Sequence, residues 1–322
     1  MGEIFVVVEH RKGAVREITY QMLHKADQLC RELSDDLTAI VMGGKDDVPL
    51  NEVAKRADRV IAVEDERVKD FNADLYKETL KELIEEHRPL LTLMAHSAYG
   101  MDLAPSLSIQ TGYPLATDCV DVLIEDGRLK VLRQIYAGKL FSKVSFKDSK
   151  GYLITVREGA FPPEAGGKRR GELTRQGLPA DLPEPRKQFV AFEDAGAGEV
   201  DISQAELLVS VGRGIGEKEN VAILEELAER MGGTLSCSRP VVDKNWLPKY
   251  HQVGTSGKTV KPRVYLAFGI SGAFQHIAGI AGAGTVIAVN KDKKAPIFRV
   301  ADYGVTEDLF KIVEALKTEL AK

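Results

Sequence analysis

A chain of 322 residues, 44% hydrophobic and with a formal net charge of −4, is long enough to bury a sizeable core and divides into two domains more readily than it forms one. That charge balance excludes a broad electrostatic footprint for nucleic acid, since the basic clusters Lys168-Arg169-Arg170 and Lys293-Lys294 are short, solvated loop charges. Three widely spaced cysteines, Cys30, Cys119 and Cys237, with no Cys-x-x-Cys pair, argue against a disulfide framework and against a zinc or iron–sulfur site.

The first element is a β-rich run at 4–8, with no basic start ahead of a long apolar stretch. No apolar run approaches the ~18 residues of a membrane span, so a cytoplasmic protein is expected. Residues 15–33 have helical spacing, 37–42 are β-rich, and 52–56 form a short helix before a strand at 59–63. A charged amphipathic helix at 72–87, a strand at 89–95 and a helix at 101–110 continue the series. Alternation of this kind predicts parallel strands with crossover helices. From 114 to 157 the period changes. Runs at 120–125, 129–136, 141–146 and 152–156, separated by short turns such as Asp126-Gly127 and Ala137-Gly138, predict an antiparallel addition.

Residues 159–185 are rich in Gly, Pro and charge without a period, and read as a linker or surface excursion. The expected division is an N-terminal α/β domain, 1–190, and a C-terminal domain, 191–322. The second restarts the alternation, with strands at 205–211, 234–238, 263–268, 285–289 and 297–300 and helices at 218–231, 272–280 and 307–320. The fold class is therefore α/β in two domains: a nucleotide-binding-like parallel sheet with an antiparallel addition, then a doubly wound domain.

Three small-residue loops punctuate that second domain: Gly212-Arg213-Gly214-Ile215-Gly216, Gly254-Thr255-Ser256-Gly257-Lys258, and Gly269-Ile270-Ser271-Gly272-Ala273-Phe274-Gln275-His276. Each adjoins a β-rich run, so their backbone N–H groups can converge on anionic oxygens at the carboxyl edge of a parallel sheet, as a dinucleotide site requires. The first loop alone is a weak signal. Its spacing is Gly-x-Gly-x-Gly, and the next strand ends in Ser236-Cys237-Ser238-Arg239 with no acid to hold a ribose hydroxyl, which disfavours an ordinary NAD site.

Val211-Gly212-Arg213-Gly214, Cys237-Ser238-Arg239-Pro240, Val253 through Lys258, Gly269 through His276, Ala288-Val289-Asn290-Lys291-Asp292 and Ala295-Pro296-Ile297-Phe298 through Ala301-Asp302-Tyr303-Gly304 stand in the order and spacing of the electron transfer flavoprotein α subunit. The chain resembles that family over its whole length. The likeness is most specific in the C-terminal domain; the N-terminal domain contributes its order of elements and the Arg133-Gln134-Ile135-Tyr136-Ala137-Gly138 segment. One departure stands out, because the family commonly has Gln-Thr where this chain has Thr255-Ser256.

The resemblance implies a non-covalent FAD held mainly by the C-terminal domain, in a heterodimer whose β subunit carries AMP or, in electron-bifurcating members, a second FAD. It implies an electron carrier rather than a substrate-transforming enzyme, linking flavin dehydrogenases or NADH to a downstream partner such as a quinone reductase. The N-terminal domain would dock to the β subunit while the flavin domain moves on its linker.

Carried over residue by residue, the cofactor-binding set is Arg213, Ser238, Arg239, Val253, Gly254, Thr255, Ser256, Ser271, Gly272, Ala273, Phe274, Gln275, His276, Asn290, Asp308 and Leu309. Arg239 near the isoalloxazine would favour its anionic reduced forms. Ser256 suits donation to flavin N5, and a His276 ring N–H suits the O2/N1 edge, with Gln275 and the 271–274 backbone as neighbouring donors. Arg213 suits the pyrophosphate, Asn290 ribityl or phosphate oxygens, and Asp308 the adenosine, with a helix-start charge as its alternative. His96 and Ser97 resemble an active-site corner but lack an accompanying nucleophile, and no metal is assigned. Two other classes remain: an NAD(P)-binding dehydrogenase domain, which needs an acid or base beside the 212 loop that the sequence does not display, and a colourless, non-redox nucleotide-binding protein.

Overall fold

A computed structural model describes residues 2–136, 138, 140–163, 169–192 and 200–320. The chain divides into two compact units, Met1–Ala191 and Phe192–Lys322. Ala137 and Lys168 lie outside the described residues.

The first unit is built on nine strands: β1 (Glu3–Val7), β2 (Asp36–Gly43), β3 (Arg59–Glu64), β4 (Leu91–Ala95), β5 (Leu115–Glu125), β6 (Arg128–Ile135), β7 (Leu140–Ser145), β8 (Tyr152–Val156) and β9 (Glu172–Gln176). Their order across the sheet is β9-β3-β2-β1-β4-β8-β5-β6-β7. Helix α1 (Glu17–Leu33) covers one face, packing Ile18, Met22 and Leu29 against Ile4 and Val6. Helices α2 (Ala73–His87) and α3 (Ala98–Thr111) cover the other, packing Leu80, Leu83 and Leu107 with Phe5 and Ile40. Alternate side chains of β1 thus enter two cores, which explains its near-continuous apolar run.

Two expectations change here. The 152–156 run does not belong to the antiparallel addition: β8 lies parallel between β4 and β5, in register Tyr152↔Leu91 and Leu153↔Leu115. Its residues are buried on both faces, Leu153 in one core and Ile154 and Val156 in the other, the environment of a central parallel strand. Within this sheet, among the described residues, β5, β6 and β7 are the strands that pair antiparallel. Within the stretch read as a linker, β9 extends the sheet by pairing parallel with β3. All five of its side chains are exposed, so no apolar period marked it. Arg169 ties the same stretch down through ion pairs with Asp27 and Asp58.

The second unit holds an all-parallel sheet of β10 (Leu207–Val211), β11 (Thr234–Ser238), β12 (Gln252–Val253), β13 (Val264–Phe268), β14 (Thr285–Val289) and β15 (Tyr303–Val305), in the order β12-β11-β10-β13-β14-β15. The chain starts at the centre, moves outward to β12, then returns to the other side of β10. That reversal makes a topological switch point between β10 and β13, the crevice where open α/β sheets bind ligands. With the short helices α5 (Arg239–Asp243) and α6 (Phe274–Ala278) between them in the chain, helices α4 (Val221–Arg230) and α7 (Leu309–Leu320) pack on one face, through Leu224, Leu227, Leu309 and Val313. The strand expected at 297–300 is instead a 3-10 turn, Pro296–Arg299, and the edge strand follows at β15. Pro296 pre-sets the turn and lacks the N–H a ladder needs. The helix expected over 272–280 shrinks to Phe274–Ala278, because Gly272 sits at φ +79° and cannot extend it backwards.

No helix among the described residues is long and apolar enough to cross a membrane. No described group of His, Cys, Asp and Glu can hold a metal. All three cysteines are free and buried, and burial pushes each thiol up to about 12, leaving them protonated and unreactive at neutral pH.

Candidate cofactor site

At the carboxyl ends of β10, β11, β12, β13 and β14 the second unit opens a cavity of about 530 Å³, within the ~300–1,000 Å³ usual for cofactor clefts. Its walls bring together Arg213, Ser238, Arg239, Val253, Gly254, Ser256, Ser271, Gly272, Ala273, Gln275, His276 and Asn290 from the expected set. The corresponding crevice of the first unit, between β1 and β4, has closed: its cavity is about 20 Å³, room for one water. There Ser97, at the N-terminus of α3, donates a hydroxyl hydrogen bond to the buried Glu9 carboxyl, so an acidic side chain of the protein itself takes that position.

The loops that frame the large cavity meet backbone to backbone. Gly212 N–H donates to Phe268 O at 2.8 Å and Gly214 N–H to Gly269 O at 3.0 Å. A Cβ on Gly212 would stand 2.2 Å from Gly269 O, and one on Gly214 would stand 2.7 Å from Gly269 Cα. Glycine is required here for close approach, and Gly269, at φ +63°, also for its conformation. The backbone N–H groups of Ser271, Gly272, Ala273 and Gln275 donate to no described acceptor, and all four residues line the cavity. Arg213 is exposed and no described carboxylate pairs with it, so a dianionic phosphate group has both a cation and free amides to meet.

Other residues are already committed within the protein. Arg239, two-thirds exposed, places Nε 3.5 Å from Asp243 Oδ2, a loose i,i+4 pair at the cavity mouth. The Asn290 amide donates to Ile270 O at 2.9 Å and its oxygen accepts from Asp292 N–H, so it braces the loop that follows β13. Ser256 Oγ accepts from the Gln252 amide at 2.9 Å, which leaves its own proton to donate elsewhere. Gln252, four residues earlier, is itself buried.

Four residues of the expected set do not line the cavity. Thr255 contributes its backbone N–H to Gln275 O at 2.9 Å, and Phe274 opens the short helix α6 (Phe274–Ala278). Asp308 pairs with Lys291 at 2.7 Å and accepts from Phe310 N–H, a helix-start charge as its alternative reading had it. Leu309 is 4% exposed in the core. Asp243, Pro240 and Ile270 line the cavity without having been singled out.

His276 is the most constrained of the lining residues. Its Nδ1 lies 3.2 Å from Val253 O and its Nε2 2.8 Å from the Tyr265 hydroxyl, so neither nitrogen is left to point an N–H into the cavity, contrary to the expectation for it. Burial pulls its pKa down to about 4, only partly opposed by the Val253 carbonyl. The unfolded chain, with an ordinary histidine, takes up a proton near pH 6.5 that the folded chain refuses, so stability falls with acidification between pH 6.5 and 4. Chemical denaturation at pH 7.5 and pH 5 should therefore show His276→Gln losing ~2 kcal/mol less than the wild type over that interval. Equal losses would mean that the ring is charged in the fold.

Comparison with known proteins agrees with this geometry. The family model described as the electron transfer flavoprotein FAD-binding domain matches residues 201–281. A second, described as the electron transfer flavoprotein domain, matches residues 4–181. The electron transfer flavoprotein subunit alpha of Methylophilus methylotrophus is 36% identical over 325 residues, covering 100% of both chains. That of Thermoanaerobacterium thermosaccharolyticum is 32% identical, covering 99% of this chain and 98% of its own. Protein FixB of Clostridium saccharobutylicum is 31% identical over 97% of this chain and 94% of its own.

Proposed function

The chain belongs to the electron transfer flavoprotein α-subunit family, and from that premise we propose that its switch-point cavity holds FAD and that the chain works as an electron carrier within a heterodimer with a β subunit. The observation that carries this reading is the convergence, on one cavity at the carboxyl edge of a parallel sheet, of backbone amides with no described acceptor, an Arg213 with no described carboxylate partner and interlocked glycines. Such a lining suits a large anionic cofactor and offers no acid, base or nucleophile pair for turning over a substrate.

Bound FAD supplies reversible electron transfer, and the protein's part is to hold and tune it. Arg213 and the amides of residues 271–273 would take the pyrophosphate, and Ser256, braced by Gln252, would offer a hydroxyl proton to the ring system. Arg239 would put positive charge beside the ring, while His276 adds none. The first unit, its own crevice filled, would serve docking to the β subunit. Three buried thiols without a disulfide suit a reducing, cytoplasmic setting.

The test is the visible spectrum and acid-released nucleotide of the full chain co-purified with its β subunit. A flavin spectrum with one FAD and one AMP is expected of a simple carrier, and two FAD would mark the bifurcating type. A colourless complex carrying AMP or ATP alone would overturn the reading.

A further inference from the structure

Tyr265, on β13, is wholly buried, and its hydroxyl lies 2.8 Å from His276 Nε2 and 2.6 Å from Ser210 Oγ. Ser210 is itself buried, on the neighbouring strand β10. The proton positions follow from the partners. Val253 O can only accept, so His276 Nδ1 carries the ring proton and Nε2 of the neutral imidazole is an acceptor. The single phenolic proton then goes to Nε2, and the 2.6 Å contact with Ser210 Oγ completes the surroundings of the phenolic oxygen. The outcome is one ordered chain, Ser210 to Tyr265 to His276 to Val253, ending on the strand that runs into Gly254 at the cavity wall.

We propose that Tyr265, backed by Ser210, is a positioning residue for the cofactor cavity: it holds the His276 imidazole in its neutral Nδ1–H form, turned so that Nε2 is not offered to the ligand. Phenylalanine would fill the same apolar space without the desolvation cost of a phenol, so the hydroxyl is there for its hydrogen bonds. A ring held at both nitrogens has one orientation, and a cavity lined by it has one shape and one charge. The positive charge offered to the ligand then comes from Arg213 and Arg239 alone among the lining residues. The inference rests on the reading of this cavity as an FAD site.

The experiment is ¹⁵N NMR of the histidine rings in the full chain, with and without FAD, beside a titration of FAD affinity. Wild-type His276 should show only the Nδ1–H tautomer. Tyr265→Phe should show both tautomers and bind FAD about tenfold more weakly. Ser210→Ala, which removes only the far end of the chain, should shift the tautomer balance in the same direction by less, and it gives a reading even where Tyr265→Phe fails to fold. A wild-type Nε2–H tautomer, or a tautomer unchanged in both variants, overturns the proposal. The expected tautomer shift in protein that takes up no FAD supports the positioning role and overturns the cofactor reading instead.

Discussion

Replacing Gly269 with alanine should strip the protein of its cofactor. The new methyl carbon would stand 2.8 Å from Gly214 Cα and 2.9 Å from Gly214 C, against backbone atoms that no side-chain rotation can move. The loop after β10 must back away, stretching the Gly214 N–H to Gly269 O bond of 3.0 Å. A left-handed conformation for alanine adds ~1–2 kcal/mol, and the weakened hydrogen bond ~1 kcal/mol. Together these place the loss at ~2–3 kcal/mol, which corresponds to a fall of roughly 30- to 150-fold in FAD affinity if the cost is borne by the bound geometry. Borne by the fold, it lowers the melting temperature of the second unit by roughly 4–12 °C. Gly232 is the control. It has φ +66° but nothing within 4 Å of its would-be Cβ, so Gly232→Ala carries conformational strain without collision. Flavin retained after desalting, read by absorbance, should separate the two: near-complete loss in Gly269→Ala, near-normal content in Gly232→Ala. Equal retention would show that the loops do not need their close approach.

How far this arrangement can be read from residues alone varies along the chain. The βα alternation of both units is written in local periods, and the runs at 4–8, 205–211 and 263–268 come out as the buried parallel strands β1, β10 and β13. Pairing partners are a different kind of information. Tyr152–Val156 has the composition of any buried strand, and its place between β4 and β8's other neighbour β5 follows from long-range topology that no local pattern encodes. Glu172–Gln176 is held by backbone hydrogen bonds and surface ion pairs, with every side chain exposed, so hydrophobic periodicity is silent there. In the cavity, loop glycines announce themselves because few other functions need them so closely spaced. Gln252 and Tyr265 do not, since a strand glutamine and a strand tyrosine are ordinary residues until their partners, four and eleven positions on, are brought beside them. Leu309 entered the expected set by adjacency in a motif, and its side chain packs in the core beneath α7.

The cavity that results is electrically lopsided. His276 contributes a neutral ring, Asp308 pairs with Lys291 away from the lining, and Asp243 sits one helical turn from Arg239 with its carboxylate 3.5 Å away. The formal charges left on the lining are Arg213, Arg239 and Asp243, and of these Arg239 is the one expected beside a bound ring system.

Removing that charge should lower the midpoint potential of bound FAD. Reduction adds negative charge to the ring, a nearby cation stabilises the reduced form more than the oxidised one, and Arg239→Ala deletes that preference. An exposed charge acts through a solvent-like dielectric, worth ~1–3 kcal/mol at short range. With ~30 mV per 1.4 kcal/mol for a two-electron couple, the drop is about 20–60 mV. Three companions give the sign its force. Arg239→Lys, which keeps the charge, should hold most of the wild-type potential; Asp243→Asn, which removes the opposing charge 3.5 Å away, should raise it. Raising the ionic strength from 0.01 to 1 M contracts the screening length from ~30 to ~3 Å, so the difference between Arg239→Ala and wild type should shrink with salt. Spectroelectrochemical titration of the four proteins decides the matter. A shift of the same sign in Arg239→Ala and Asp243→Asn would point to altered packing at the mouth, and would remove the electrostatic role assigned to Arg239.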